Sequence, residues 1–94
     1  MKKNNFIVIN PKDNCATALV EIPQNTKINI SDKNIETKDI IPFGHKFAIR
    51  NIKKGSNVIK FGEVIGTSSE DIPEGDWIHI HNITSSYLKV INNE

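Results

Sequence analysis

The chain has 94 residues, of which 37% are hydrophobic and 24% are charged, so its composition suits one small globular domain rather than a disordered chain. Twelve Lys and Arg residues against eleven Asp and Glu residues leave a net charge of +1, which argues against a nucleic-acid-binding module. No apolar run approaches the roughly 20 residues that cross a bilayer, Phe6–Ile9 is too short for the core of a signal peptide, and a single cysteine cannot form an internal disulfide. We therefore expect a cytoplasmic protein with no nucleic-acid or membrane partner and with residues 1–94 in one domain.

Short β-branched segments separated by turn residues predict an all-β barrel or sandwich. In chain order the expected strands are Phe6–Asn10, Ala16–Glu21, Lys27–Ile30, Asn34–Thr37, His45–Arg50, Asn57–Phe61, Glu63–Thr67 and Trp77–Asn82. Helix should stay below roughly 15%, because the only candidate is one turn around Asp13–Ala18 or Ser68–Asp71. The core should span about residues 6–83, and residues 84–94 should either add an edge strand or fray.

A seven-residue turn pattern recurs four times, at Ile22–Ile28, Ile41–Phe47, Ile52–Val58 and Ile72–Ile78. Each copy begins with Ile, usually followed by Pro, and has Gly or Asn three residues after the Ile and an apolar residue three further on. Proline should occupy the second position of a β-turn, and Gly or Asn tolerates a left-handed backbone at its exit. Units this short cannot form a solenoid repeat, so the pattern supports a turn-rich β fold.

His79 and His81 are the sharpest candidate site. Residues two apart in a strand point to the same face, so Trp77, His79 and His81 should share one side while Ile78 and Ile80 face the core. Two imidazoles placed in this way could share a divalent metal if a third ligand came from elsewhere. They could equally donate hydrogen bonds to an anionic substrate, or be exposed histidines without a role.

Lys60 and Glu63 are a second candidate, next to a glycine that interrupts strand alternation. If Ile59 and Phe61 faced inward, Glu63 would also face the core, where an unpaired carboxylate is costly. A β-bulge at Gly62 would turn Glu63 outward and bring it close to Lys60. The segment is explained either by the bulge alone or by a Lys–Glu pair at the edge of a cleft.

The remaining polar candidates have a structural explanation beside the functional one. His45 and Lys46 leave a turn at the start of a strand, where they could bind an anion or lie in solvent. Asp13 or Asn14 could cap the single helical turn. Cys15 lies beside alanines and away from any cluster of basic residues, so we expect a buried thiol rather than a nucleophile.

Four segments occur in a recognisable order: Asp13-Asn14 with Ala16 and Ala18-Leu19, then Ile41-Pro42-x-Gly44-His45-Lys46-x-Ala48, then Gly55-x-x-Val58 through Gly66, and last His79-x-His81-Asn82. Together they resemble the small N-terminal domain of the altronate and galactarate dehydratase family, a SAF domain, over about residues 9–82. One departure is Phe61, where the family leads us to expect tyrosine.

The resemblance implies a β-clip fold of short strands. It also implies a lyase in which a much larger catalytic region removes water from a sugar acid with a divalent metal, Fe²⁺ or Mn²⁺, bound mainly by that region. Some members split the two parts between chains, as does the small subunit of sulfolactate sulfo-lyase. By this resemblance the chain would end where the large region begins, so we expect either a small subunit of this kind or a fragment cut from a longer chain. As a subunit it should be inactive by itself, have a large catalytic dehydratase subunit as its partner and act on a small hydroxy acid, either as a hydro-lyase or as a carbon–sulfur lyase of the sulfolactate type.

A sugar acid offers a carboxylate, which cationic groups hold. On this basis the predicted catalytic residues are His79, His81, Lys60 and Glu63, the substrate-binding residues are His45, Lys46 and Asn14, and the metal ligands are His79 and His81. The alternative is a non-catalytic SAF module that recognises a carbohydrate or a protein, and self-association is compatible with either function. The histidine pair and the His45-Lys46 pair favour the enzyme subunit, because a plain interaction module has no need of them.

Overall fold

The computed structural model describes residues 5–30, 32–79 and 81–85, and every regular element in these residues is a β-strand. The strands are β1 (Phe6–Ile7), β2 (Cys15–Ala18), β3 (Lys27–Ile30), β4 (Lys33–Glu36), β5 (Lys46–Ala48), β6 (Asn57–Lys60), β7 (Glu63–Ser68), β8 (Trp77–Ile78) and β9 (Ile83–Ser85). All pairings are antiparallel, in a β1-β2-β5-β8 sheet, a β3-β4 hairpin and a β6-β7-β9 sheet. The predicted all-β fold is confirmed, and the arrangement is consistent with a SAF β-clip.

Several local predictions were wrong. The segment expected to form a helical turn at Asp13–Ala18 contains β2, and the one at Ser68–Asp71 is the end of β7 followed by bends. The strand predicted at Trp77–Asn82 ends at Ile78, after which the chain turns into β9. β9 is an edge strand of its sheet, and residues 86–94, the rest of the segment predicted to add an edge strand or fray, lie outside the described residues.

The four turn units have the expected left-handed residue but a different placement of proline. The N–H groups of His45, Ser56 and Asp76 donate to the carbonyls of Pro42, Lys53 and Pro73, at 3.0, 2.9 and 3.1 Å. Proline is therefore the first residue of the turn, and not the second as predicted. The left-handed residues are Asn25, Gly44, Gly55 and Gly75, with φ between 64° and 91°. In the three glycine units this residue is third in the turn, as in type II turns.

The turn units belong to a longer internal repeat. Ile22 pairs with Ile41 across an isolated bridge, and Ile52 pairs with Ile72 in the same way, so Ile52 follows Ile22 by 30 residues and Ile72 follows Ile41 by 31. The order β2-β3-β4-β5 in the first copy matches β5-β6-β7-β8 in the second, and β5 is common to both. The extra residue is Ile65, which bulges from β7 because Val58 pairs with Gly66 and Ile59 pairs with Val64.

Each copy of the repeat has its own core. The first consists of Ala16, Ala18, Ile22, Ile28, Ile35, Ile41, Phe47 and Ile49, and the second of Cys15, Ala48, Ile52, Val58, Ile72 and Ile78. Adjacent residues of one strand, such as Phe47 and Ala48, enter different cores because side chains alternate along a strand. The four-stranded sheet therefore lies between the two cores, with one face toward each.

The hairpin that carries Lys60 and Glu63 differs from the prediction. Phe61 and Gly62 form its two-residue loop, and both have positive φ, 57° and 76°, as a type I′ turn requires. The bulge predicted at Gly62 is at Ile65, and Phe61 is 50% exposed rather than inward-facing. Lys60 and Glu63 are nonetheless neighbours, because the tight turn makes them direct cross-strand partners and leaves Glu63 exposed.

Candidate functional site

Three histidines surround the indole ring of Trp77. The ring centroid of Trp77 lies 4.9 Å from that of His79, 5.5 Å from that of His81 and 5.6 Å from that of His45. His45 and His79 also meet edge to face at 5.0 Å. We call these four side chains the imidazole cluster. The structure thus brings together three of the predicted site residues, and it adds Trp77, which sequence reasoning had placed on the same face without a role.

A turn held by Asn82, rather than an extended strand, places His79 and His81. The Asn82 amide donates to the carbonyl of Trp77 at 2.8 Å, its oxygen accepts from the N–H of His79 at 2.9 Å, and its own N–H donates to the carbonyl of His79 at 3.0 Å. Asn82 is only 2% exposed, so this turn is built into the fold. His79 and His81 therefore both lie beside Trp77, as predicted, but the extended strand predicted to place them there is wrong. Ile80, which was expected to face the core, lies outside the described residues.

Lys46 and Lys60 form a second group, which we call the lysine pair. Alternation along β5 directs Lys46 to the face of Ala48 and Cys15, whereas Trp77 packs against the first core beside Phe47. The imidazole cluster and Lys46 therefore occupy opposite faces of the four-stranded sheet. They meet at its edge, because Lys46 lies opposite Ile78, the last residue of the edge strand β8.

The charges of these groups act on one another. Burial first, and then the charge of Lys60, lower the pKa of the Lys46 ammonium. Burial likewise lowers the pKa of His79, with smaller contributions from His45, His81 and Lys46. Within the described residues neither lysine forms an ion pair, and the one ion pair there joins Lys33 to Glu74. The repulsion between Lys46 and Lys60 favours the binding of an anion beside them.

Glu63 lies next to Lys60. It is the cross-strand partner of Lys60, whose ammonium lies 4.9 Å from the ring centroid of Phe61. Among the hydrogen bonds and ion pairs of the described residues, none joins Glu63 to the imidazole cluster. The structure therefore supports the predicted Lys60–Glu63 proximity.

Asp13 and Asn14 fasten the β6-β7 hairpin instead of capping a helix. The Asp13 carboxylate accepts from the N–H of Gly62 at 2.8 Å, and Asp13 is only 2% exposed. The Asn14 oxygen accepts from the N–H of Ile59 at 2.8 Å, while its amide donates to the carbonyl of Asn57 at 2.9 Å. Both polar ends of Asn14 are thus occupied by the fold. Its predicted role in substrate binding stays a prediction.

Cys15 is buried, as predicted. It is 1% exposed, its thiol donates to the carbonyl of Ile59 at 3.4 Å, and burial raises its pKa to about 11. A thiol with this pKa carries little thiolate at neutral pH. Cys15 therefore serves the second core.

The imidazole cluster does not by itself match a metal site. Metal ligands must point their lone pairs at one shared position, whereas the rings of His79 and His81 both lie against Trp77. In residues 5–30, 32–79 and 81–85, no three His, Cys, Asp or Glu side chains are arranged to hold a metal ion. The same residues include no helix that is long and apolar enough to cross a membrane.

Comparison with known proteins identifies the family. Residues 4–86 match the family model described as the altronate/galactarate dehydratase SAF domain. The chain is 40% identical over 77 residues to altronate dehydratase of Bacillus subtilis, covering 82% of this chain but 16% of that protein. It is 44% identical over 48 residues to (2R)-sulfolactate sulfo-lyase subunit alpha of Chromohalobacter salexigens, covering 51% of each chain. It is also 33% identical over 73 residues to galactarate dehydratase (L-threo-forming) of Escherichia coli, covering 78% of this chain and 14% of that protein. The chain spans a small part of these dehydratases, and it belongs to the altronate/galactarate dehydratase SAF domain family.

Proposed function

We propose that this chain acts as the small subunit of a cytoplasmic lyase that dehydrates sugar acids or related hydroxy acids, together with a larger catalytic chain. Two of its relatives are dehydratases in which the matching region is a minor part, and a third is named as the alpha subunit of a sulfo-lyase. The observation that carries the proposal is the contact of three imidazoles with Trp77 at the edge of the four-stranded sheet, with Lys46 at the same edge on the opposite face. A module without chemistry has no need of that concentration of basic groups.

The lysine pair suits the carboxylate of the substrate. Ammonium groups form strong, charge-assisted hydrogen bonds with carboxylates, and binding a carboxylate would relieve the repulsion between Lys46 and Lys60. His79 and His81 would contact the hydroxyl groups of the substrate from the other side of the sheet edge. We also propose that His79 and His81 bind a divalent metal, with the larger chain supplying the remaining ligands.

Dehydration breaks the C–H bond beside the carboxylate, with the proton passing to a base and an enediolate left behind. It then breaks the C–O bond at the next carbon, and the departing hydroxide takes up a proton from the protonated base to leave as water, so that an enol of the product forms. Negative charge grows on the carboxylate oxygens in the first step, and nearby cations stabilise that charge more in the transition state than in the ground state. We assign this task to the lysine pair. We assign the base that takes the proton to the larger chain, which must also exclude water from the site.

The test is reconstitution of the chain with its large subunit, followed by double substitution of His79 and His81 by Ala. We expect turnover to fall by about a hundredfold or more with subunit binding intact. Lys53→Ala is a matched control, because it removes a positive charge from an exposed turn outside both groups. If turnover of the double variant stays within about threefold of wild type, the domain has only a structural role. Turnover of altronate by the 94-residue chain alone would contradict the division of labour between subunits.

An exposed apolar surface supports association with a larger chain. Leu19, Val20, Ile40 and Phe43 are 42%, 45%, 53% and 71% exposed. Their segments are adjacent, because Ile22 bridges to Ile41 and the N–H of Gly44 donates to the carbonyl of Ala18 at 2.9 Å. Apolar surface of this kind marks protein interfaces. We expect Phe43→Ser to weaken binding to the large subunit at least tenfold in a sedimentation or calorimetric assay. Val64→Ser, which changes an exposed apolar residue of the β6-β7 hairpin, should leave this binding unchanged.

The same surface favours the alternative function, a non-catalytic module that recognises a protein. The two functions differ in what the basic residues do. If Phe43→Ser abolishes association while the His79 and His81 variants bind and turn over normally, the alternative is correct.

A further inference from the structure

Trp77 contacts every histidine of the chain in a different way. Its ring stacks on His79 with an interplanar angle of 19°, lies 5.5 Å from the ring of His81, and donates a hydrogen bond from its indole N–H to Nδ1 of His45 at 3.2 Å. The chain contains three histidines in all. One aromatic side chain thus contacts all three imidazoles.

The hydrogen bond to His45 determines which of its ring nitrogens carries the proton. The indole nitrogen of tryptophan is a donor only, and a neutral imidazole has one donor and one acceptor nitrogen. An N–H that points at Nδ1 therefore requires Nδ1 to be unprotonated. The proton of neutral His45 then resides on Nε2.

We infer that Trp77 is a positioning residue that fixes His45 as the Nε2–H tautomer. In this form His45 offers a ligand a hydrogen-bond donor, which suits a carboxylate or hydroxyl oxygen. It also cannot coordinate a metal while the bond persists, because the Nδ1 lone pair is engaged and Nε2 carries a proton. The tautomer stands without the proposed function, whereas its use toward a hydroxy acid rests on that function.

The surroundings of Trp77 hold the indole in this orientation. Its carbonyl accepts from the buried amide of Asn82 at 2.8 Å, its backbone pairs with Phe47 of β5, and its side chain packs against the first core. A second ring, that of His79, covers one of its faces. These contacts leave the indole N–H aimed at His45 before any ligand arrives, which is the condition for a preorganised donor.

The test is nuclear magnetic resonance of the uniformly ¹⁵N-labelled 94-residue chain at about pH 8, where histidines of ordinary pKa are neutral. We expect a scalar coupling across the hydrogen bond between Nε1 of Trp77 and Nδ1 of His45. Long-range spectra should show His45 with a protonated Nε2 and an unprotonated Nδ1. Trp77→Phe keeps an aromatic ring but removes the donor, so the coupling should vanish and His45 should populate both tautomers.

One control variant, His81→Gln, should leave the coupling and the His45 tautomer unchanged, because the ring of His81 is not among the contacts that orient the indole N–H. A wild-type spectrum without the coupling, or with the proton of His45 on Nδ1, would overturn the inference even if Trp77→Phe fails to fold. The measurement needs no partner chain and no turnover. Failure of the reconstituted enzyme would therefore count against the proposed function while leaving the tautomer assignment intact.

Discussion

Asp13 is a buried carboxylate whose charge should stabilise the fold through the β6-β7 hairpin. It accepts hydrogen bonds from the N–H of Gly62 at 2.8 Å and from the N–H of Asn10 at 3.3 Å. In Asp13→Asn the bond to Gly62 becomes a neutral one, which costs about 1 kcal/mol, and the new amide group faces the N–H of Asn10, which leaves a buried donor unsatisfied at a further cost of about 1–3 kcal/mol. We expect the free energy of unfolding to fall by about 2–4 kcal/mol. A chain of 94 residues, with about 5–14 kcal/mol of stability, should still fold.

This loss should depend on pH in a defined direction. Burial acts to raise the pKa of Asp13, but backbone hydrogen bonds, led by that of Gly62, outweigh it and hold the pKa below its usual value of 3.8. A carboxylate whose pKa is lower in the folded state stabilises that state fully above pH 3.8, and the stabilisation disappears as the pH falls through the lowered pKa. Asp13→Asn carries no titrating group there. Its difference from wild type should therefore be largest near neutral pH and shrink in strong acid.

Urea unfolding at several pH values measures both effects. With a slope of about 2 kcal/mol per molar urea, the expected loss moves the midpoint by roughly 1–2 M without changing the slope. Asp71→Asn is the matched control, because Asp71 also accepts from a backbone N–H, that of Lys54 at 2.8 Å, but is exposed. It should cost less than about 1 kcal/mol. A loss from Asp13→Asn below about 0.5 kcal/mol, or one that is constant down to about pH 2, would show that the charge of Asp13 does not anchor the hairpin.

Three further predictions concern single positions. Gly75→Ala should lower the free energy of unfolding by about 3–5 kcal/mol, because φ is +91° and a Cβ would overlap the carbonyl oxygen of Glu36. Gly55→Ala, with φ +86° and open space around the new Cβ, should lower it by about 1–2 kcal/mol. Equal losses of stability in thermal unfolding would contradict this reasoning. His79 should titrate below pH 6.5 in proton NMR spectra, since burial and neighbouring cations lower its pKa, and a midpoint at or above that value would be evidence against the clustered arrangement. Cys15, with a pKa of about 11, should resist a thiol reagent at pH 8 and react only on unfolding, so rapid labelling of the native chain would show that the second core is open.

Much of the fold could be predicted because turns and β-branched segments are local signals. Lys27–Ile30 was predicted with its observed bounds, and the left-handed residue of each turn unit was placed correctly. The register of the β6-β7 hairpin was missed, because the left-handed conformation of Phe61 is a rare choice for a bulky residue. The repeat that joins the turn units was also missed, since its two copies share geometry far more than residue identity.

The site was predicted in part, for a similar reason. His79 and His81 were expected to lie together, and they do, but through the turn held by Asn82, a contact that no periodicity reveals. The role of Trp77 depends on a hydrogen bond to His45, which precedes it by 32 residues. Alternation along β5 directs His45 and Lys46 to opposite faces of the sheet. The prediction treated these two residues as one polar pair, so it placed Lys46 and the histidines on the same side.

The strand shared by the two copies of the repeat has a consequence for how the chain folds and opens. β5 is the last strand of the first copy and the first strand of the second, and its adjacent residues Phe47 and Ala48 belong to different cores. Neither half can bury its own apolar residues without the central strand that the other half also requires. The chain should therefore unfold in one cooperative step, and the amides of β2 and β5 should exchange with solvent only through global unfolding. Because this strand pairs with segments distant in sequence on both sides, its formation should limit the rate of folding.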